Sequence, residues 1–321
     1  MVQLNKKNKL WRTVVAIIII VSIFFFMGRS LYHNWDQVKT EITTRHFQLY
    51  QLILAFLFLG LNFLIGAYGW KCILSYFAEK ITFKQSIQII AYALLGKYLP
   101  GKVWAILGRI YLAKEIGIAE RHSALSVVIE TAYLLISAFA LFLISLLFYP
   151  SLLAKTYLLL ILIPITVILI FPPIFNRVVN FLLVRLKQQP VSFNIKLNQA
   201  VVLFLLYLSA WVAAGIGLYF LIIAFYPLDW KALFIFPGAF SLSWIIGFVV
   251  IFAPGGLGVR EGLFALLIDP IVPKALNILI SFLSRIWITI SEILIFLFVF
   301  IFFRFRRIDV TQKETRNQEI S

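Results

Sequence analysis

The sequence predicts an all-α polytopic membrane protein of about eight membrane segments: six full spans and two re-entrant helical hairpins that pair as an inverted repeat. Three observations carry this. Hydrophobic residues fill 62% of the 321 positions and charged residues only 13%, where soluble domains hold roughly 25% charge. Aromatics reach 17%, with 32 phenylalanines, as lipid-facing surfaces and interfacial belts require. The apolar residues also arrive in runs of spanning length with basic residues between them. A soluble core of this size could not bury so much apolar surface, so the bilayer must serve as its solvent. The net charge of +16 does not indicate nucleic acid, because the cations sit between apolar runs and at the chain ends. There they set orientation and meet anionic lipid head groups.

A spanning helix needs about 20 mostly apolar residues, and six stretches approach that length: 13–28, 47–68, 123–147, 156–172, 198–226 and 275–303. Lys6, Lys7, Lys9 and Arg12 precede the first, and no small-x-small cleavage site follows it, so it reads as a retained signal anchor. Lys and Arg in short loops give the orientation. The N-terminal cations, Arg177, Arg185, Lys187 and Lys196 in the 173–196 connection, and Arg304, Arg306 and Arg307 after the last span fall on one side. Lys155, Lys231 and Lys274 stand singly on the other. Both termini are therefore expected in the cytoplasm, with 1–305 a single domain in the inner (plasma) membrane and 306–321 a short tail. Trp11, Trp35, Trp70 and Trp230 lie near span ends and read as interface markers without functional content.

Two segments do not fit simple spans. Residues 83–116 form two apolar arms, each too short to cross, joined at Lys97-Tyr98-Leu99-Pro100-Gly101-Lys102. This predicts a helix–break–helix hairpin entering from the cytoplasm. Residues 233–270 repeat the pattern around Ala253-Pro254-Gly255-Gly256-Leu257-Gly258-Val259-Arg260-Glu261, entering from the outer face, although their first arm is long enough to cross. Backbone outside a helix is tolerated at membrane depth only where protein or a watery cavity satisfies it. Paired interrupted segments point to a transporter's central site; the plainer alternative is a kinked structural hairpin in each case.

Charges inside spans cost roughly 2.5–3.5 kcal/mol each on insertion scales, so each needs a partner or a purpose. In the last span Ser281, Arg285, Thr289 and Glu292 share one helix face, and in the third span Ser123, Ser126, Glu130, Tyr133 and Ser137 share another. The two stripes are expected to face each other or a common cavity, with Glu130 paired to Arg285, either for function or to fix helix packing. Around the breaks stand Lys97, Lys102, Arg109, Arg260 and Glu261. The helices that start after Pro100-Gly101 and after Gly258 present unpaired N–H groups, which favour an anion, phosphate above all. For Lys97 and Lys102 the alternative is snorkelling to head groups. His33, His46 and His122 lie far apart, Cys72 is the lone cysteine, and HExxH, P-loop and GxSxG patterns are absent, so no metal, cofactor or catalytic residue is expected.

The run from Trp70 through Gly96-Lys97-Tyr98-Leu99-Pro100-Gly101-Lys102 to Gly108-Arg109, Gly117 and Glu130 resembles the transmembrane domain of lysylphosphatidylglycerol synthases. The stretch Pro254-Gly255-Gly256-Leu257-Gly258-Val259-Arg260-Glu261 looks like that family's second signature, and Arg285 matches a basic residue of its last span. The resemblance covers roughly residues 45–305. It implies a domain that in full-length relatives is a flippase for aminoacylated phospholipid, here expected as a stand-alone member without the soluble aminoacyl-transferase domain.

The resulting expectation is a non-enzymatic lipid translocase that holds the anionic head group of a phospholipid or polyprenyl-phosphate sugar in a central polar cavity. Its site residues would be Lys97, Pro100, Gly101, Lys102, Arg109, Glu130, Pro254, Gly255, Gly256, Gly258, Arg260, Glu261, Arg285 and Glu292. The partners would be membrane lipids, with no nucleic acid. Two readings compete: an integral-membrane transferase acting on a lipid phosphate, and a non-catalytic subunit that recruits a separate synthase or glycosyltransferase.

Overall fold

A computed structural model describes residues 48–98, 103–149, 170–185, 195–250, 258–269 and 271–303, together with the single positions 29, 32, 164, 168, 189 and 256. These residues form nine α-helices and no strand. They are α1 (Leu49–Tyr76), α2 (Phe83–Leu94), α3 (Trp104–Glu115), α4 (Glu120–Leu146), α5 (Pro172–Arg185), α6 (Leu197–Ile223), α7 (Ala232–Val249), α8 (Val259–Ile268) and α9 (Lys274–Phe302). A short 3₁₀ turn, Leu95–Tyr98, continues α2.

Five helices are long and apolar enough to cross a membrane: α1, α4, α6, α7 and, from Leu276, α9. Four of them fall on the predicted spans 47–68, 123–147, 198–226 and 275–303. The spans 13–28 and 156–172 lie outside the described residues apart from isolated positions. The fifth, α7, is the first arm of the predicted hairpin 233–270, and by length it matches a full span rather than half of one. The other hairpin, 83–116, does appear as two 12-residue helices, with its junction at 99–102 outside the described residues. The 173–196 connection, expected as a basic loop, instead contains α5. Pro172 and Pro173 occupy its first turn, where a missing N–H costs nothing. Phe175 and Val179, one turn apart, are buried, and the Phe175 ring lies 5.0 Å from that of Tyr133.

Contacts divide the chain into two compact units, Met1–Ile65 with Tyr133–Ser291, and Gly66–Ala132 with Glu292–Ser321. In the first unit a continuous apolar core joins α1, α4, α6, α7, α8 and α9 through residues such as Ala55, Trp211, Phe236, Phe264 and Trp287. Packing there is close because small residues face bulk. Gly215 of α6 lies against Pro237 of α7 with no room for a Cβ. Buried hydroxyls bond to carbonyls: Ser241 donates to Ala138 O at 2.9 Å, and the indole of Trp211 to Leu134 O at 3.1 Å. Beyond the end of α4, Tyr149 donates to Leu267 O at 3.0 Å. Burial, reinforced by the Asp269 charge, pushes its phenol pKa up to about 12 and keeps it a neutral donor.

The second unit contains the α2–α3 hairpin. Thr82 caps α2 by accepting from Gln85 N, and the Gln85 side chain accepts from Thr82 N at 2.9 Å, a reciprocal capping box. Gly96 lets the 3₁₀ turn lie against the start of α3, since a Cβ there would sit 2.8 Å from Ala105 N. Gly108 of α3 faces Ala93 of α2. Ser86 anchors α2 to α1 by donating to Ala67 O at 2.6 Å.

The long helices present an apolar outer face. On α1, Ile53, Leu57, Leu61, Leu64 and Tyr68 are exposed at helical spacing, while Ala55 and Leu59 are buried. On α9 the exposed row is Ile286, Ile290, Ile293 and Leu297, opposite buried Ser284, Trp287 and Ser291. Exposed apolar stripes of this length belong in a bilayer.

Candidate functional site

Each unit contains its own cluster of buried charge. In the second unit α3 carries Arg109 and α4 carries Glu130, whose side chains are only 14% and 9% exposed. Both outer nitrogens of the guanidinium donate to the carboxylate, Nη1 to Oε2 and Nη2 to Oε1, the latter at 3.2 Å. This bidentate fork is the strong form of a carboxylate–arginine pair. The guanidinium carbon lies 5.0 Å from the centroid of the Trp70 ring, a cation–π distance. Trp70 is fully buried and donates through Nε1 to Ser126 Oγ at 2.8 Å, and Ser126 donates on to Ser123 O at 2.7 Å. Lys97, on the 3₁₀ turn, pairs with Glu292 of α9. Glu79 accepts from Ala119 N and meets His122 Nδ1 at 2.7 Å, at the start of α4.

In the first unit the polar feature is the start of α8. Gly256 and Gly258 have φ of +72° and +80°, backbone that side-chain-bearing residues avoid. A Cβ on Gly256 would also strike the backbone of Gly247. Glu261, 3% exposed, folds back so that Oε2 accepts from Gly258 N at 2.7 Å. The anion that the helix N-terminus favours is thus the protein's own carboxylate. Oε1 accepts no hydrogen bond among the described residues; its nearest cation is Arg285 of α9, with Nε at 3.7 Å. The guanidinium of Arg260 lies 4.6 Å from the centroid of Phe240. On α9, Ser281 and Thr289 satisfy their hydroxyls on the carbonyls of Asn277 and Arg285.

Glu130, expected to pair with Arg285, is engaged by Arg109 within its own unit, and Arg285 lies beside Glu261 within the other. Helix spacing identifies the face a charge occupies but not the neighbour it meets, and the α2–α3 hairpin supplies Glu130 with a cation. Lys97 pairs with Glu292 and keeps 35% side-chain exposure. The stripe on the third span is buried as expected: Ser123, Ser126, Tyr133 and Ser137 have no exposure and Glu130 has 7%. Pro100, Gly101, Lys102, Pro254 and Gly255 lie outside the described residues. Trp70, read from sequence as an interface marker, is instead the wall behind Arg109. Among the described residues no group of His, Cys, Asp or Glu has the arrangement of a metal site.

A helical membrane fold with a two-helix hairpin and buried charge pairs is what this site and architecture define. The family model described as the lysylphosphatidylglycerol synthase TM region matches residues 13–295, and the chain belongs to that family. No curated protein matches it.

Proposed function

We propose that the protein is a lipid translocase. In this reading it accepts the anionic head group of a phospholipid or a polyprenyl-phosphate sugar into a polar environment, while the lipid tails stay in hydrocarbon. The observation that supports it most is the buried Arg109–Glu130 fork. A scaffold has little use for a charge pair that costs desolvation and that a hydrophobic pair of similar volume replaces at no loss. Arg260, which follows the glycine-rich turn at Gly256 and Gly258, supplies a second cation for the phosphate. The chain then works in the plasma membrane with cytoplasmic termini, residues 83–116 enter as a re-entrant hairpin, and no covalent chemistry is assigned to it.

The test is lipid movement in proteoliposomes, with a panel of anionic and aminoacylated phospholipids and a polyprenyl-phosphate sugar. Arg260→Ala should abolish protein-dependent translocation while membrane insertion stays normal. Wild-type rates in a well-folded Arg260→Ala protein would remove that arginine from the mechanism.

A further inference from the structure

We propose that Arg109 is a phosphodiester-binding residue whose ligand competes with Glu130 for the guanidinium; the inference rests on the lipid-translocase reading and specifies one of its sites. Three observations lead there. The first is the form of the pair. Glu130 engages Nη1 and Nη2 together, the arrangement that the two non-bridging oxygens of a phosphodiester also make. Carboxylate and phosphodiester each carry one negative charge and two equivalent acceptors, so exchanging them leaves the guanidinium's charge balance and donor count unchanged.

The second is that the fork is positioned independently of Glu130. The Trp70 ring, 5.0 Å from the guanidinium carbon, is itself fixed by the Nε1 hydrogen bond to Ser126 at 2.8 Å. When the carboxylate leaves, the plane of the guanidinium is still backed by a buried aromatic wall. The fork therefore stays oriented for the next anion.

The third is access for an amphiphile. The Arg109 side chain keeps 14% exposure. Ile106, three residues earlier and hence on the same side of α3, is 41% exposed, and Val103 one turn further is 49% exposed. A molecule whose phosphate reaches Arg109 has apolar surface beside it for its chain carbons. This favours a lipid head group over free phosphate as the source of the oxyanion.

The test measures binding to the full-length protein in non-ionic detergent, using short-chain phosphatidylglycerol, diacylglycerol with the same chains, and inorganic phosphate as probes. The phosphatidylglycerol should bind and the diacylglycerol should not, and Glu130→Gln, which keeps the shape and removes the competing charge, should tighten binding about tenfold or more. The double variant Arg109→Gln/Glu130→Gln leaves no lone buried charge and should unfold near the wild-type temperature, yet bind phosphatidylglycerol at least about tenfold more weakly. Equal affinity in wild type and Glu130→Gln, or full affinity in the double variant, would make the pair a packing device and overturn the proposal. Inorganic phosphate that displaces the lipid at comparable concentration would overturn the lipid assignment. If binding fails while Arg260-dependent translocation persists, this inference falls alone. If translocation fails while Arg109-dependent binding persists, the translocase reading falls alone.

Discussion

Arg109 and Glu130 show how much one charge pair decides in such a chain. Each is nearly sealed from water, so neither tolerates loss of the other: an uncompensated buried charge costs about 3–5 kcal/mol. Arg109→Leu should therefore lower the unfolding temperature in detergent sharply, and Arg109→Leu/Glu130→Leu should recover most of the loss, since two apolar side chains fill the space without desolvation. Failure of the double variant to recover stability would mean that the pair is held by something beyond its two charges. The sequence made both residues conspicuous, because charge in an apolar run demands an explanation. Spacing alone does not pair them, because Arg285 occupies an equally plausible helix face and only the fold sets Arg109 beside Glu130. Trp70 went unrecognised for a related reason. An indole near a helix end serves equally well as an interface anchor or as a wall for a cation, and its burial and its bond to Ser126 decide between them.

At the scale of elements, the breaks are where composition speaks most clearly and where helix geometry is most constrained. The hairpin of α2 and α3 depends on Gly96, since a methyl group there meets the backbone of Trp104 and Ala105 at 2.8 Å. Overpacking of this kind costs about 1–3 kcal/mol. Gly96→Ala is thus expected to speed amide hydrogen exchange in Phe83–Leu94 and Trp104–Glu115 while leaving α6 and α7 protected. Uniform acceleration throughout the chain would show that the hairpin is not an independent packing unit. Both arms of this hairpin were readable from their length and from Pro-Gly at the joint. The helix Pro172–Arg185 is not legible in the sequence, because Arg177 and Arg185, with Lys187 and Lys196 after them, suggest a loop and outweigh the spacing of Phe175 and Val179. The sequence of α7 runs into Pro254-Gly255-Gly256, which favours a hairpin, while its 18 mostly apolar residues satisfy the length of a span equally well.

For the whole molecule, the apolar content that predicted a membrane protein reappears as the exposed stripes of α1 and α9, and the membrane class follows from composition and from family membership alike. The polar features are less uniform. One unit neutralises cations with carboxylates in direct ion pairs, as Lys97 does with Glu292 and Arg109 with Glu130. The other uses a carboxylate to cap a helix and leaves Arg285 at 3.7 Å from it. Such differences were invisible in a residue list that grouped all these cations together as phosphate ligands. The most direct measurement is the rate at which a labelled anionic lipid crosses vesicle bilayers with and without the reconstituted protein. The account predicts that vesicles holding folded protein move at least one anionic lipid class faster than protein-free vesicles, and that Arg260→Ala returns the rate to the protein-free level. Equal rates with and without folded protein, for every anionic phospholipid and polyprenyl-phosphate sugar tried, would contradict it.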